Sequence, residues 1–316
     1  MEYKKLGKTG IEVSRLCFGS LTLSKSQENL SLKESGELLS FAYNQGINFI
    51  DTAELYENYA NIREVFKYVP RENLVITSKT YAYDKKGAQD SLKKYLDELG
   101  TDYADIFLLH EQEDEFTLKG HYEALKELYR LKKEGYIKAV GISTHKVKAV
   151  RAALEYPEIE VIHPMINIEG LGILDGTRDD MLDAIEKVRE NGVGIYAMKV
   201  LGGGHLISRA EDAIKWAVDN PLFDSIALGM QSREEVINNS RLISHEEVPE
   251  EIKESLRKSN RQISVEEYCI GCGRCAAKCQ AKAINIIDNK AVIDRSKCIL
   301  CGYCANVCPD FYIKVH

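Results

Sequence analysis

The chain has 316 residues, of which 44% are hydrophobic and 29% are charged, and its formal net charge is −7. This length accommodates one large domain and a small one, and the acidic balance argues against a general nucleic-acid surface. No apolar run approaches the roughly 18 residues of a membrane span, and the first residues, MEYKKLGKTG, lack the apolar core of a signal peptide. We therefore expect a cytoplasmic protein that binds neither nucleic acid nor a membrane.

The first 240 or so residues predict alternating strands and helices. A hairpin comes first, from EYKKL and IEVSR on either side of GKTG. Short apolar runs then alternate with stretches of helical periodicity, such as residues 87–100 and 121–135, which end in glycine. The predicted strands are residues 15–20, 47–51, 73–79, 104–110, 137–143, 160–167, 192–199 and 224–229. Eight such units favour a (β/α)8 TIM barrel, with a doubly wound sheet as the alternative.

The composition changes after the eighth unit, which divides the chain into parts. We interpret residues 1–242 as the barrel and residues 243–263, which are charged and helix-prone, as a packing helix and linker. Pro249 is suited to the first turn of that helix. Residues 264–316 are rich in Cys and Gly and contain an internal repeat with short β-like runs, which predicts a small α+β domain. We expect this tail to fold against the barrel through residues 247–260.

Eight of the nine cysteines lie in two runs, CIGCGRCAAKC and CILCGYCANVC, both spaced C-x2-C-x2-C-x3-C. A repeated spacing of this kind is not typical of disulfides and indicates metal ligation. The two runs, with Pro309 after the last cysteine, resemble the bacterial two-cluster ferredoxins over about 50 residues. A pair of zinc sites, each with four cysteines, is the alternative.

The resemblance to ferredoxins implies two [4Fe–4S] clusters with crossed ligation. The first cluster would be held by Cys269, Cys272, Cys275 and Cys308. The second would be held by Cys298, Cys301, Cys304 and Cys279. Gln280 stands where the family pattern has a second proline, a difference that removes no ligand.

Four ionisable residues lie at or just after the predicted C-terminal ends of strands, where barrel active sites are found. They are Asp51 after INFI, Tyr56 in DTAELY, Lys79 in VITSK and His110 in IFLLH. The set resembles the Asp–Tyr–Lys–His tetrad of the aldo-keto reductase superfamily, over roughly residues 1–245. The resemblance implies an oxidoreductase that reduces a small carbonyl compound, or oxidises an alcohol, with NAD(P)H.

The chemistry of carbonyl reduction explains these residue types. Hydride transfer leaves an alkoxide that needs a proton, and a tyrosine is a poor donor at neutral pH unless a cation lowers its pKa. We expect Tyr56 to be the donor, with Lys79 lowering its pKa and Asp51 holding the lysine. His110 would orient the carbonyl oxygen. Taken singly, each residue also has a structural explanation, such as a cap or a buried histidine.

The contacts to nicotinamide that the resemblance implies are irregular in this sequence. Ser143 matches a serine that contacts the carboxamide, and Thr144 stands where asparagine is usual. The position of the usual glutamine falls on His163 or on Asn167. The aromatic residue that stacks on nicotinamide has no clear counterpart in GIYAMKVLGGG.

The contacts to the rest of the coenzyme are equally mixed. Gly202 and Gly203 would let the backbone approach the pyrophosphate. In GMQSREEVINN, which also supplies Ser232 as a candidate, Asn239 matches an asparagine that contacts adenine. Glu235 stands where the family has an arginine for the 2′-phosphate of NADP, and Arg233 lies two residues away. The choice between NADH and NADPH stays open.

The two modules differ in the electron transfers that they support. Nicotinamide transfers electrons in pairs, whereas an iron–sulfur cluster takes one at a time, so a direct exchange between them usually needs a flavin. No convincing flavin signature is present, and a flavin stays open as a further cofactor. We interpret the protein as an enzyme whose clusters pass electrons to or from an external one-electron carrier protein. The alternatives are a non-catalytic electron carrier or redox sensor on a barrel scaffold, and a flavin-dependent reductase.

Overall fold

The computed structural model describes residues 1–25, 27–258, 263–279, 281–298 and 304–315. Cys301, a predicted ligand of the second cluster, lies outside these residues. So do Gln280 and residues 259–262 of the predicted linker.

A closed barrel of eight parallel strands forms the body of the protein, as predicted. An antiparallel hairpin, β1 (Tyr3–Lys5) with β2 (Glu12–Ser14), precedes it. The barrel strands are β3 (Leu16–Gly19), β4 (Phe49–Asp51), β5 (Val75–Thr80), β6 (Ala104–Leu109), β7 (Ile137–Thr144), β8 (Val161–Pro164), β9 (Gly194–Ala197) and β10 (Ser225–Gly229). They follow one another around the barrel in sequence, and β10 pairs with β3 to close it. All eight lie within the predicted runs or extend them by one residue.

Helices surround the barrel and connect its strands. They are α1 (Leu32–Asn44), α2 (Tyr59–Arg63), α3 (Lys85–Leu99), α4 (Glu115–Gly120), α5 (Tyr122–Lys133), α6 (Val147–Ala152), α7 (Arg178–Glu190), α8 (Ala210–Asp219), α9 (Arg233–Ile243) and α10 (Glu250–Lys258). Within the described part of the chain, no helix has both the length and the apolar character needed to cross a bilayer.

Local sequence explains where the longer helices begin and end. At the start of α1, the Ser31 hydroxyl accepts from Glu34 N, and the Glu34 carboxylate accepts from Ser31 N at 3.0 Å. This reciprocal pair is a capping box. Helix α3 begins after Asp84, whose carboxylate accepts from Gly87 N at 2.7 Å, and it ends at Gly100 in the left-handed conformation that glycine adopts readily.

The hairpin covers the N-terminal end of the barrel, which leaves the C-terminal end for a site. Lys8 N donates to Gly192 O at 2.8 Å, just before β9 begins. Leu6 of the hairpin joins an inner core with Cys17 and Phe49, all fully buried. Burial of such side chains stabilises the fold by about 1.5–3 kcal/mol each. Cys17, the cysteine outside the two runs, is therefore part of the barrel core.

The tail folds into a small α+β domain. Strand β11 (Ile263–Val265) pairs with β14 (Ile313–Val315), and β12 (Ile284–Ile287) pairs with β13 (Lys290–Ile293), both antiparallel. A short helix, α11 (Arg274–Lys278), precedes β12. A small apolar core holds these pieces together, and cysteines contribute to it.

This domain packs on the C-terminal mouth of the barrel, and Phe311 makes the central contact. Its ring is 3% exposed and lies between Gly172 and Gly203. A Cβ added at Gly172 or Gly203 would lie only 2.0 Å or 2.5 Å from ring carbons of Phe311. Helix α10, which covers most of residues 247–260, packs on α9 of the barrel. Phe311 adds a direct contact with the mouth that the sequence did not predict.

We predict that Phe311→Ala separates the tail domain from the barrel. Loss of a buried aromatic ring typically costs about 3–5 kcal/mol, and the glycine slot has no side chain to refill the space. Small-angle scattering should show a larger radius of gyration, and limited proteolysis should release the tail. Phe116→Ala is the matched control, since Phe116 is 73% exposed. An unchanged radius with unchanged proteolysis would contradict this account of the docking.

Candidate active site and cluster sites

A buried ion pair lies at the C-terminal mouth of the barrel. Asp51 ends β4, and Lys79 lies near the end of the neighbouring β5. Lys79 Nζ is 2.8 Å from each carboxylate oxygen of Asp51 and donates to Thr52 O at 2.7 Å. A buried ammonium is tolerated when it is paired and hydrogen-bonded in this way. The positive charge of Lys79 is therefore compensated by the protein.

Tyr56 and His110 complete the predicted set at the same mouth. Tyr56 lies in a short 3₁₀ turn after β4, and its ring centroid is 5.3 Å from Lys79 Nζ. His110 follows β6, and its ring meets that of Tyr56 edge-on, with centroids 6.1 Å apart. On its other side His110 stacks on Tyr81 at 4.6 Å. The structure brings the four residues together, and their catalytic roles stay predictions.

The electrostatics of Tyr56 differ from the sequence-based expectation. Burial, followed by the negative charge of Asp51, raises the pKa of Tyr56 well above its ordinary value. Burial and the charge of Asp51 therefore outweigh the lowering that was expected from Lys79. At neutral pH Tyr56 therefore keeps its proton.

His110 is neutral at physiological pH. Burial, followed by the charge of Lys79, lowers its pKa well below the ordinary value. Its Nδ1 atom is buried and has no hydrogen-bond partner among the described residues. A neutral imidazole with an unused nitrogen suits an orienting contact to a substrate.

Two further side chains lie beside Asp51, and sequence reasoning missed one of them. The Tyr196 hydroxyl donates to Asp51 Oδ1 at 2.9 Å. His163, a candidate for the nicotinamide contact, stacks on Tyr196 with ring centroids 3.8 Å apart, and its Nε2 lies 3.8 Å from Asp51 Oδ1. Burial lowers the pKa of His163 to about 4, so this imidazole is neutral. The period of two along β9 places Tyr196 inside the barrel, a signal that the sequence contained.

Three further candidates for nicotinamide contact hold loops together in this structure. Ser143 Oγ accepts from Glu111 N at 2.9 Å, and Thr144 Oγ1 accepts from Lys146 N at 2.9 Å. The Asn167 amide donates to Leu171 O and accepts from Leu171 N, both at 2.9 Å. All three side chains are buried; Thr144 and Asn167 bond within their own loops, and Ser143 bonds to the loop after β6. Their assignment to the coenzyme stays a prediction.

The candidates for the adenosine end gather at the start of α9. Ser232 caps this helix by accepting from Glu235 N at 3.2 Å. The Arg233 guanidinium lies over the Phe41 ring, 5.1 Å from its centroid. Asn239 is buried and accepts from Asn238 Nδ2 at 3.0 Å.

Acidic groups also lie at this end. Burial raises the pKa of Glu235, and the charges of Glu28 and Glu234 add to this effect. The Glu235 carboxylate accepts from Gln231 N at 2.7 Å. A carboxylate therefore stands at the position that the family resemblance assigns to a phosphate-binding arginine.

The two glycines predicted for the pyrophosphate have positive φ angles, 56° at Gly202 and 62° at Gly203. The space beside Gly203 is filled by Phe311 of the tail domain, and the nearest side-chain atom to a Cβ at Gly202 would be Leu171 Cδ1, at 3.2 Å. With the tail docked, backbone at Gly203 is therefore covered by an aromatic ring.

The four cysteines predicted for the first cluster line one cavity. Cys269, Cys272, Cys275 and Cys308 surround a space of about 320 Å³ that includes solvent-open volume. Ala291 N donates to Cys269 Sγ at 3.4 Å, and Tyr312 N donates to Cys308 Sγ at 3.2 Å. Burial, with mutual repulsion from the other three sulfurs, raises the pKa of Cys275. Backbone N–H groups aimed at sulfur are the contacts that tune iron–sulfur centres.

Iron–sulfur clusters and zinc ions need different arrangements of four cysteine sulfurs. One zinc ion needs four thiolates converging at about 2.3 Å from a single point. Within the described ranges, no three Cys, His, Asp or Glu side chains converge on one metal ion. A cubane cluster needs a wider arrangement, because each thiolate binds a different iron.

Three of the four cysteines predicted for the second cluster lie in the described part of the tail. Cys304 belongs to the small core of this domain, and Cys279 and Cys298 pack against it. Ala283 N donates to Cys279 Sγ at 3.3 Å. The fourth, Cys301, lies outside the described residues, so this set stays a prediction.

Comparisons with known proteins agree with the fold and the two sites. The model of the aldo/keto reductase family matches residues 15–212, and the model of the 4Fe-4S dicluster domain matches residues 261–309. The first match covers more than half of the chain. The protein therefore belongs to the aldo/keto reductase family, and it carries a C-terminal 4Fe-4S dicluster domain.

Individual relatives are distant. "Probable aldo-keto reductase 1" of Glycine max is 28% identical over 63% of this chain, which spans only 59% of that relative. Methylglyoxal reductase DkgA of Yersinia pestis is 26% identical over 61% of this chain and 73% of its own length. The holo form of a Bacillus halodurans aldo-keto reductase superposes with a TM-score of 0.65 at 20% identity, covering 82% of this chain and 96% of that one. At that identity the superposition supports the fold alone.

We predict that Cys308→Ser removes the first cluster although Cys308 belongs to the second run. The intact protein should contain about eight iron and eight sulfide per chain, and the variant about half of each. Iron and sulfide analysis with electron paramagnetic resonance measures both. Cys17→Ala is the control, because Cys17 lies in the barrel core. Stoichiometric zinc without sulfide, or a full iron content in Cys308→Ser, would contradict the assignment.

Proposed function

We propose that this protein reduces a small carbonyl compound at the mouth of the barrel, with Tyr56 as proton donor. Its two [4Fe–4S] clusters, held by the eight cysteines of the tail, would pass electrons to or from an external one-electron carrier. The docking of the cysteine-rich domain on the mouth carries this proposal. Glu266, three residues before Cys269, lies close enough to Tyr56 that its charge adds to the effects of burial and of Asp51, which raise the pKa of this phenol.

A series of contacts supports a functional connection between the two domains. Tyr312 donates its N–H to Cys308 Sγ. Burial, followed by the charges of Asp310 and Glu111, raises the pKa of Tyr312, so Glu111 lies within electrostatic range of this phenol. The Tyr81 hydroxyl donates to the Glu111 carboxylate, and the Tyr81 ring stacks on His110. His110 in turn meets Tyr56 edge-on. The first predicted cluster site and the proton donor are therefore linked through neighbouring side chains.

The state of Tyr56 suits the proton transfer that the reaction needs. Reduction of a carbonyl to an alcohol consumes two electrons and two protons. A [4Fe–4S] cluster would supply electrons singly when bound, so this route would take one proton from Tyr56 and the second from water. Tyr56 holds its proton at neutral pH, and its raised pKa makes it a weaker donor than an ordinary tyrosine. An alkoxide is a stronger base than a phenolate, so it can still take this proton. Tyr56 would then give up its proton only to a strongly basic product such as an alkoxide.

Nicotinamide-linked reduction is the second candidate, and membership of the aldo/keto reductase family favours it. The assembled Asp51, Lys79, Tyr56 and His110 fit that chemistry. The docked Phe311 covers Gly203, however, so the coenzyme would compete with the tail for this backbone. A flavin has no support in the family matches and is not part of the proposal.

We predict that Tyr56→Phe lowers carbonyl reduction by about 10²–10⁴-fold with either electron source, because it removes the proton donor and keeps the ring. The assay compares reduced viologen with NADH and NADPH on a panel of small aldehydes and ketones. Tyr68→Phe is the control, since Tyr68 is 50% exposed.

The two electron sources separate the candidate functions. Turnover with viologen supports electron delivery through the clusters, whereas turnover with NAD(P)H alone would show that the clusters are not the source. Full activity in Tyr56→Phe would refute its role as donor. No turnover with any donor would favour the electron carrier or sensor.

If nicotinamide binds, we predict a preference for NADH, because carboxylates near Glu235 repel the 2′-phosphate of NADPH. Glu235→Gln should tighten NADPH binding several-fold and leave NADH binding unchanged. Since the pKa of Glu235 is raised, its ionised fraction and the discrimination should both grow as the pH rises. Fluorescence titration measures the dissociation constants, with Glu123→Gln as a surface control. Equal effects on both coenzymes would exclude this explanation.

A further inference from the structure

Lys199 lies at the boundary between the barrel mouth and the tail domain, and no role has yet been assigned to it. It follows β9 by two residues, and its φ of 54° lies in the left-handed region that lysine seldom adopts. Met198 N donates to Pro164 O at 2.9 Å, and Gly202 N donates to Lys199 O at 2.7 Å. The backbone around it is therefore fixed in a costly conformation, which is a feature of functional sites.

The positive charge of Lys199 is left without a counter-ion. Among the residues that the structure describes, its Nζ makes neither a hydrogen bond nor an ion pair, and it lies 4.8 Å from the centroid of the Phe311 ring. Lys79 at the same mouth is, in contrast, neutralised by both oxygens of Asp51. The protein thus compensates one lysine of the mouth and not the other.

Two of the three acidic groups whose charge acts on Lys199 have other partners. Glu266 pairs with Lys314, and Glu111 accepts from the Tyr81 hydroxyl. Burial, followed by Lys314, lowers the pKa of Lys199 to about 8, and Glu111, Glu266 and Asp310 oppose this shift without cancelling it. The surroundings therefore disfavour the ammonium form, and an incoming anion would stabilise it.

The histidines around Lys199 do not supply negative charge either. Burial comes first among the causes that lower the pKa values of His110, His145 and His163, and the charge of Lys199 contributes at each of them. These three imidazoles are neutral and can act as hydrogen-bond partners. The buried Nδ1 of His110 is still unpartnered in the described structure. Among the described residues, the mouth thus contains the ammonium of Lys199 without an ion-pair partner and Nδ1 of His110 without a hydrogen-bond partner.

We propose that Lys199 binds an anionic group of the substrate, so that the carbonyl compound carries a carboxylate or a phosphate. This inference rests on the proposed function, and it adds a class of substrate to it. In this arrangement Tyr56 and His110 face the carbonyl oxygen, and Lys199 determines specificity without taking part in the proton transfer. An ammonium–oxyanion hydrogen bond is a strong contact that neutral analogues cannot make.

The test compares substrates that differ only in the anionic group. Pyruvate is paired with methyl pyruvate for the carboxylate, and dihydroxyacetone phosphate with dihydroxyacetone for the phosphate. In Lys199→Met, kcat/KM for the accepted anionic member should fall roughly tenfold to a hundredfold, mainly through KM, as expected for loss of a charged hydrogen bond. The neutral member should be nearly unaffected. Lys199→Arg should retain most of the preference, and Lys33→Met, an exposed surface variant, should change nothing.

Each outcome decides the inference. An equal fall for both members of a pair would show a structural role, and no fall, or a wild type that accepts only the neutral members, would overturn the proposal. Iron content and thermal unfolding verify that each variant folds, and Lys199→Gln replaces the methionine variant if that one fails. If the wild type reduces no compound, the proposed function fails separately. Calorimetry with oxamate on the intact protein then decides, since binding to the wild type but not to Lys199→Met supports the anion site, and any other result rejects it.

Discussion

The packing of Phe311 between Gly172 and Gly203 is the contact on which the arrangement of the two domains depends. Both glycines have positive φ angles, and neither has room for a Cβ, so the slot accepts a flat ring and little else. Phe311 lies three residues after Cys308 and has a left-handed backbone of its own, with φ of 54°. Residues 308–311 therefore connect the first predicted cluster site to the barrel mouth. Only three residues of chain thus separate a predicted cluster ligand from the contact at the mouth, which is the basis for the proposed connection between the cluster and the barrel site.

The docked domain also changes the electrostatics of the mouth. Glu266 of this domain adds to burial and to the barrel residues Asp51, Glu111 and Tyr81 in raising the pKa of the Tyr56 phenol. The domain contributes Lys314 as well, which with burial lowers the pKa of Lys199. Carboxylates of both domains, Glu111 of the barrel and Glu266 and Asp310 of the tail, oppose the lowering at Lys199. The protonation states of the mouth are therefore a property of the two domains together.

Periodicity and spacing predicted most of the fold, because both are local features of the sequence. The eight strands, the hairpin and the helix after Pro249 follow from apolar runs and their boundaries. The positions of Asp51, Tyr56, Lys79 and His110 could be predicted because the C-terminal ends of all barrel strands lie at the same end of the barrel. The roles of Phe311 and Lys199 could not be predicted, since they depend on how the tail packs on the barrel. The pKa of Tyr56 was misjudged although the pairing of Asp51 with Lys79 was predicted, because burial and the charge of Asp51 outweigh the lysine.

The contrast between the two lysines links the chemistry of the site to its specificity. Asp51 fixes Lys79 and pairs with its charge through both carboxylate oxygens, so Lys79 already has a counter-ion inside the protein. Lys199 retains its charge in a partly buried, strained position, and desolvated charges interact more strongly than solvated ones. A substrate with an anionic group would therefore be drawn to the boundary between the domains, beside Phe311 and next to the loop that carries Cys308. Recognition of the substrate would then depend on the same docked interface that brings the first predicted cluster site to the barrel.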